Sequence, residues 1–346
     1  MIKLQERATI GGRPCAVNQK SIIFATTRNM NQTFTDGVPP CKVASMKIAF
    51  LISTYTDPVH LHRLIDSLPM DAHFFIHIDK SVDERPFRSA VSGAQIHYID
   101  KRVRVMWGSY TQVQFQMELL RAALQHDQQF DYLFMLSGQD YPVWSNERII
   151  RFLQANNGKN HLQGACLVGR SPAETRQYTR YRFLSNKPWK YGTLKSKFRV
   201  GLRRLTDLFM TKPLEFDADG KHYRLYKGSD YFAITRQLAA FLLKTYDEGK
   251  ELRRYFSNSF APSETFVHTV AFNSPFADSC ILYCPQPEEI IRLKRLTPLT
   301  FIVYDSNIKE LTLEDYDDIL ESDKMLCRKC VTGTSDLLMD RIDAQR

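Results

Sequence analysis

One acidic residue, Glu264, stands where a side chain could carry out proton transfer. It lies in the segment 261–270, APSETFVHTV, in which Pro262 stops the preceding element and Ser263 is a good N-cap for a helix. A carboxylate in this first helical turn can take the proton from a hydroxyl that attacks an anomeric carbon. The alternative is a glutamate that only complements the helix dipole, and the residues alone leave both interpretations open.

Such a sugar transfer also requires positive charge, because a departing diphosphate gains negative charge. Many transferases supply it through a divalent metal held by an Asp-x-Asp pair. The two Asp-x-Asp triplets of this chain, 217–219 and 315–317, are predicted in a turn and in an acidic helix that faces solvent. No metal site is therefore expected, and Arg328 and Lys329 can take the place of the metal.

The seven cysteines are an odd number without a dense framework, which fits a reducing compartment. Cys327 and Cys330, together with Cys280 and Cys284, could form a four-thiolate zinc site. The apolar residues between 280 and 284 are typical of a strand and not of a metal knuckle. Buried free thiols are therefore favoured over zinc.

The elements that must position these residues begin at Met46, where the run MKIAFLISTY predicts a first strand. Strands and helices then alternate, which predicts an α/β fold with a mostly parallel central sheet flanked by helices. Ligands bind beyond the carboxyl ends of such strands, which places Thr54, Asp79 and Asp140 on the ligand side.

The expected domain organisation follows from the same pattern. Residues 1–45 are polar and without a period, and are interpreted as a disordered extension or an upstream mis-start. Residues 46–346 are predicted to form a single domain. Its nucleotide-binding half is expected over 46–145, and its acceptor and catalytic half over 146–346.

The net charge of +9 is concentrated in a stretch with ten basic and no acidic residues, 176–204. This stretch predicts a loop followed by a basic amphipathic helix, which can bind an acidic acceptor, rest on an anionic membrane or form a solvated face. The membrane surface is the preferred interpretation. Nucleic acid is not expected as a partner, because no nucleic-acid-binding module is recognisable. Without a spanning helix or a signal peptide, a cytoplasmic protein is expected, free or at the inner face of the membrane.

Six motifs in order along residues 46–342 resemble the core-2/I-branching N-acetylglucosaminyltransferases and the peptide O-xylosyltransferases, which together form glycosyltransferase family 14. They are IHIDKS (76–81), WGSYTQVQ (107–114), YLFMLSGQDYP (132–142), GSDYF (228–232), PSETF (262–266) and LCRKC (326–330).

This resemblance implies the GT-A fold, an inverting mechanism and independence of metal ions or other cofactors. It implies that Glu264 is the catalytic base and that Lys329 is the partner of the diphosphate, with either Arg328 or Lys309 as a second phosphate contact. Asp79 and the loop after the first strand, at Thr54, become contacts of a UDP-sugar donor.

The expected reaction moves N-acetylglucosamine from UDP-N-acetylglucosamine to a glycan acceptor with a β linkage. UDP-xylose is the second choice of donor, and a protein that binds sugar or nucleotide without catalysis is the third alternative. The family usually has Asp where this chain has Ser263, and residues 163–183 match poorly, so the acceptor and the linkage stay open. The oligomeric state also stays open.

Several further residues have both a functional and a structural interpretation. Asp140 could touch donor or acceptor, or form an Asx-turn before Pro142. Ser229 and Tyr231 could line a sugar pocket or serve only the strand. Trp189 is a candidate stacking platform for the acceptor. Trp107 could stack on a sugar or a base, although a place in the core is preferred.

Overall fold

The structure, a computed structural model, describes residues 46–183, 185, 192–286, 289–304 and 307–346, all of which belong to the unit Ser45–Arg346. The strands are β1 (Ile48–Thr54), β2 (His73–Ile78), β3 (Ile96–Tyr98), β4 (Tyr132–Ser137), β5 (Asp140–Pro142), β6 (Gln163–Cys166), β7 (Glu215–Ala218), β8 (Lys221–Arg224), β9 (Tyr226–Gly228), β10 (Phe232–Thr235), β11 (Ile281–Leu282), β12 (Thr300–Ile302) and β13 (Leu326–Arg328). The helices are α1 (Pro58–Asp66), α2 (Arg85–Ala90), α3 (Thr111–Gln125), α4 (Asn146–Ala155), α5 (Pro172–Thr175), α6 (Leu194–Phe209), α7 (Arg236–Glu248), α8 (Lys250–Ser257), α9 (Ser263–Phe272), α10 (Tyr316–Glu321) and α11 (Asp336–Gln345). The extension predicted over 1–45 lies outside the described residues.

The central sheet has five strands in the order β10-β4-β1-β2-β3. The pairs β1–β2, β1–β4 and β2–β3 are parallel, and only β10 runs antiparallel to its neighbour. Strands β1 and β4 are apolar along nearly their whole length because both faces of the sheet are covered by protein. The prediction of an α/β fold with a mostly parallel central sheet is confirmed.

Alternate residues of β1 belong to two hydrophobic cores, one on each face of the sheet. Ala49 and Leu51 pack on the face covered by α3, α7 and α9. Phe50 and Ile52 point to the opposite face, where the core also includes residues of α1, α4 and α11. Because alternate side chains of β1 point to opposite faces, this apolar strand lies between two layers of helices.

Two small sheets bring distant parts of the chain to the central sheet. Strand β13 pairs in parallel with β12 and antiparallel with β5, so that Arg328 lies opposite Asp140. Strand β9 passes beneath α9, where a Cβ atom at Gly228 would overlap the imidazole of His268. Glycine at this position therefore allows Lys227 of β9 to approach the start of α9.

Residues 221–228 contain the two short strands β8 and β9, and β8 pairs with β7 through a turn at Asp219. One local prediction needs correction. Asp315 was expected to face solvent but is buried. Its carboxylate accepts hydrogen bonds from the backbone N–H of Thr312 (2.9 Å) and from Lys309 Nζ (2.7 Å), because it caps the turn Leu313–Asp315 that leads into α10. No helix among the described residues is both long and apolar enough to cross a bilayer.

Candidate active site

A cleft of about 1380 Å³ opens where β1, β2 and β4 end. Thr54, Asp79 and Ser137 line it from the carboxyl ends of these three strands. Glu264 and Arg328 line it from the second half of the chain. The volume exceeds the roughly 300–1,000 Å³ of most small-molecule pockets, so donor and acceptor have room to bind together.

Glu264 lies in the first turn of α9 and is half-buried in the cleft wall. Burial raises the pKa of this carboxyl group to about 7, against the opposing charge of Lys227, while the nearby Asp230 raises it further. A glutamate that merely complemented a helix dipole in solvent would keep its ordinary acidity. Glu264 therefore exchanges protons near neutral pH, as a general base requires.

Asp230 is another carboxylate of the cleft, and it was not predicted from the sequence. It accepts hydrogen bonds from Gln116 Nε2 and from Ser263 Oγ, both at 3.3 Å. Burial raises the pKa of Asp230, and the bonds from Ser263 and Gln116 oppose that rise. Since Ser263 begins α9, Asp230 ties the β9–β10 connection to the helix that carries Glu264.

The neighbours of Asp230 differ in their placement. Tyr231 lines the cleft, but Ser229 is fully buried, and its Oγ accepts the backbone N–H of Tyr231 at 3.2 Å. Residues 229–231 precede β10 and do not follow strand alternation, so consecutive side chains at 230 and 231 both reach the cleft. The motif GSDYF contained Asp230, and a carboxylate directly before a strand was the signal that could have identified it.

Arg328 supplies fixed positive charge to the cleft. Its Nη1 donates to Asp140 Oδ1 at 2.9 Å, and its guanidinium lies 4.7 Å from the ring centre of Tyr231. Burial lowers the pKa of Arg328, but Tyr231 and Asp140 raise it more, so the side chain stays charged. Asp140 is fully buried, also accepts the N–H of Ser137 at 2.9 Å, and so orients Arg328 from beneath the cleft.

The two lysines proposed as phosphate contacts lie elsewhere, and these predictions need correction. Lys329 Nζ pairs with Glu310 at 3.0 Å, and Lys309 Nζ pairs with Asp315 at 2.7 Å, both outside the lining of the cleft. These ion pairs hold both ammonium groups outside the cleft, and Arg328 is the cation of this segment that lines it.

Thr54 and Asp79, the residues predicted to contact the sugar donor, both line the cleft at the ends of β1 and β2. Thr54 is buried where it lines the cleft, and its Oγ1 donates to the carbonyl of Thr56 at 3.1 Å. Asp79 accepts the backbone N–H of Ser81 at 2.7 Å and of Val105 at 2.9 Å. Asp79 therefore holds two loops of the cleft rim in place, in addition to any contact with a ligand.

The aromatic residues of the cleft rim differ from the prediction. Trp107 was expected in the core, but it lines the cleft with 81% of its surface exposed, edge-on to Phe260 with ring centres 5.9 Å apart. This prediction was wrong, because the segment before α3 runs along the rim. Trp189, the other proposed platform, lies outside the described residues.

Among the described residues, one group of three candidate metal ligands occurs, and it lies away from the cleft. His73, His97 and His126 offer ring nitrogens within 4.8 Å of one another. His73 begins β2, so the cluster stands at the end of the sheet opposite the cleft. None of the described cysteines forms a disulfide bond, and Cys327 and Cys330 are both buried with their sulfurs 3.7 Å apart.

Comparison with known proteins places the chain in a family. The model of the Core-2/I-Branching enzyme family matches residues 48–282, and the chain therefore belongs to this family of glycosyltransferases. This confirms the family resemblance, and five of the six motifs lie within the matched residues, whereas LCRKC (326–330) lies beyond them. Together with the mostly parallel sheet, the family defines an α/β fold of GT-A type.

The curated relatives are longer proteins. The chain is 27% identical over 245 residues to Xylosyltransferase oxt of Drosophila pseudoobscura pseudoobscura, a match covering 68% of this chain and 25% of the relative. It is 27% identical over 246 residues to Xylosyltransferase 2 of Rattus norvegicus, covering 68% and 26%. The chain spans about a quarter of the length of these relatives. A solved structure of glucosyl-3-phosphoglycerate synthase from Mycobacterium tuberculosis has a TM-score of 0.33 and 12% identity over 70% of each chain, which is too remote to support an argument.

Proposed function

We propose that this protein is an inverting, metal-independent glycosyltransferase that moves a sugar from a UDP-sugar to a glycan acceptor. The observation that carries the proposal is the pair formed by Glu264 and Arg328 in one cleft. Burial raises the pKa of Glu264 to about 7, and Arg328 is held charged by Asp140. Tyr231 connects the two: its ring packs against the guanidinium, and its pKa is raised mainly by burial, with Asp140, Asp230 and Glu264 adding to the rise.

In the proposed reaction, Glu264 takes the proton of an acceptor hydroxyl. The oxygen attacks the anomeric carbon from the face opposite the diphosphate, a new carbon–oxygen bond forms, and the bond from that carbon to the phosphate oxygen breaks. The configuration at the anomeric carbon is thereby inverted. The proton remains on Glu264 and is released to solvent after the product leaves.

Arg328 stabilises the departing UDP. The diphosphate gains negative charge as the bond breaks, and a guanidinium presents several N–H donors to phosphate oxygens in a fixed plane. Its Nη1 is engaged by Asp140, which fixes the direction in which the rest of the group points. A permanent cation at this position supports a reaction without a divalent metal.

The donor is proposed to be UDP-N-acetylglucosamine, in keeping with the core-2/I-branching family. UDP-xylose is the second candidate, and the names of the similar curated proteins, which are xylosyltransferases, favour it. Differential scanning fluorimetry with UDP, UDP-N-acetylglucosamine and UDP-xylose, each with EDTA present, distinguishes the two. The true donor is expected to raise the melting temperature most and to release UDP slowly in water.

Two variants test the chemistry. Glu264→Gln is expected to bind UDP but to lose turnover, whereas Glu310→Gln, outside the cleft, keeps it. Full activity of the first variant, or turnover abolished by EDTA, contradicts the mechanism. UDP binding without turnover of any donor by the unmodified protein would instead support the non-catalytic alternative.

A further inference from the structure

Helix α6 exposes its apolar face. Five large apolar side chains have relative exposures between 56 and 84%, and we call them the apolar stripe. They are Leu194 (84%), Phe198 (71%), Leu205 (56%), Leu208 (76%) and Phe209 (80%). Their spacing of four, seven, three and one residues places them on one side of a helix that turns by 100° per residue. Contiguous exposed apolar surface of this kind marks an interaction site.

The polar side of α6 faces the protein instead of solvent. Ser196 and Arg199 are buried. Asp207, near the end of the helix, pairs with Arg180 at 3.3 Å and with Arg182 at 3.8 Å. An ordinary surface helix packs its apolar side against the core. Because α6 is oriented the opposite way, the apolar stripe is exposed and can contact another apolar surface.

Exposed cations border the stripe on both sides. On a helical projection Lys195 flanks one edge, and Lys197 and Arg204 flank the other; all three are exposed. They belong to the stretch 176–204, which has ten basic and no acidic residues. Apolar side chains between lysines and arginines are typical of helices that lie in the headgroup region of an anionic bilayer.

The helix stands next to the rim of the cleft. Arg182, which pairs with Asp207 of α6, donates its backbone N–H to Asn258 at 2.7 Å. Its guanidinium lies 5.7 Å from the ring centre of Phe260. Phe260 and Tyr178 both line the cleft. A surface that receives α6 would therefore lie close to the mouth of the cleft.

We propose that α6 binds an anionic bilayer by inserting the apolar stripe, and that the acceptor is a saccharide carried on a membrane lipid. The choice of a bilayer over a protein partner rests on charge complementarity, since cations border the stripe on both edges while its centre is apolar. The first part stands independently, whereas the identity of the acceptor rests on the proposed glycosyltransferase function.

Co-sedimentation of the full chain with vesicles tests the surface. Vesicles of 70% phosphatidylcholine and 30% phosphatidylglycerol are expected to bind the protein, and pure phosphatidylcholine vesicles to bind it far more weakly. Replacing Lys195, Lys197 and Arg204 together by Gln should weaken the partition coefficient about a hundredfold, at roughly fivefold for each cation near an anionic surface. Binding should also fall as salt is raised.

The stripe is tested by Phe198→Asp combined with Leu205→Asp. This variant is expected to lose vesicle binding, whereas Leu337→Asp, at a leucine of α11 with 69% exposure, should bind like the unmodified protein. Equal binding by the stripe variant, or no binding of the unmodified protein to the anionic vesicles, overturns the proposal. A dimer that the stripe variant dissociates, without vesicle binding, would identify a second copy of the chain as the occupant and would also overturn it.

The same variants separate the two proposals. UDP release from a soluble donor is measured without vesicles, and the stripe variant should match the unmodified protein because the stripe lies outside the cleft. Vesicle binding without any turnover would support the proposed bilayer-binding surface and refute the proposed enzymatic activity. Turnover without vesicle binding would do the reverse.

Discussion

Replacing Glu264 by Gln is expected to stabilise the fold at alkaline pH while abolishing catalysis. Burial raises the pKa of this carboxyl group from 4.5 to about 7. One pKa unit corresponds to about 1.4 kcal/mol, so keeping the group ionised in the folded protein costs up to about 3 kcal/mol. Glutamine has nearly the same shape and carries no charge, and it removes this cost.

The pH dependence gives the test its direction. Between pH 4.5 and pH 7 the folded protein binds more protons at this site than the unfolded chain, so the free energy of unfolding falls as pH rises. Below this window both states are protonated and the site contributes nothing. Above it the cost is fully present. The gain in stability of Glu264→Gln should therefore be small at pH 5 and reach its maximum at pH 8.

Thermal and urea unfolding at pH 5, 6, 7 and 8 measure the effect. At about 2 °C per kcal/mol, the melting temperature of the variant should exceed that of the unmodified protein by up to about 6 °C at pH 8. Glu248→Gln, at an exposed glutamate of α7, serves as the matched control and should show no such trend. A difference in stability that is independent of pH would refute the reasoning, because the carboxylate would then not be destabilised by its surroundings.

Three further predictions address the cleft. Lys227→Met should raise the pKa of Glu264, because it removes the cation that opposes the effect of burial. The acidic limb of the pH–rate profile should then move to higher pH. The control variant Lys227→Arg should leave that limb in place. Arg328→Met leaves the buried carboxylate of Asp140 unpaired and should lower the free energy of unfolding in urea by about 3–5 kcal/mol. Lys329→Met should change it by less than about 0.5 kcal/mol. Equal effects of the two variants would contradict the assignment of Arg328 to the cleft. Trp107→Ala should weaken UDP binding about fivefold by titration calorimetry at an unchanged melting temperature, and a large loss of stability would show that this side chain is part of the core after all.

The central sheet could be predicted from the sequence because its signal is local. Strands β1, β2 and β4 are short apolar runs that end in polar residues, as buried parallel strands must be. Their carboxyl ends placed Thr54 and Asp79 correctly on the ligand side. The sequence also placed Glu264 correctly in the first turn of a helix, but the predicted cap was wrong: Pro262 occupies the cap position, and Ser263 is the first residue of α9, with its Oγ donating to Asp230.

The choice between neighbouring side chains could not be predicted with the same success. Arg328 and Lys329 are both cations, and which of them faces the cleft depends on the pairing of β13 with β5, a contact between distant parts of the chain. Lys227 and Asp230 escaped notice for the same reason, since only the packing of β9 beneath α9 brings them to Glu264. The exposure of Trp107 likewise depends on where the segment before α3 runs.

The bond between Arg328 and Asp140 joins residues that are 188 positions apart. This ion pair closes a long loop of the polypeptide, and a nucleotide bound to Arg328, in the role proposed above, would also strengthen the attachment of β13 to β5. Binding of the donor and pairing of β13 with β5 are therefore thermodynamically coupled. If β13 detaches from β5, UDP binding should be lost before the central sheet unfolds.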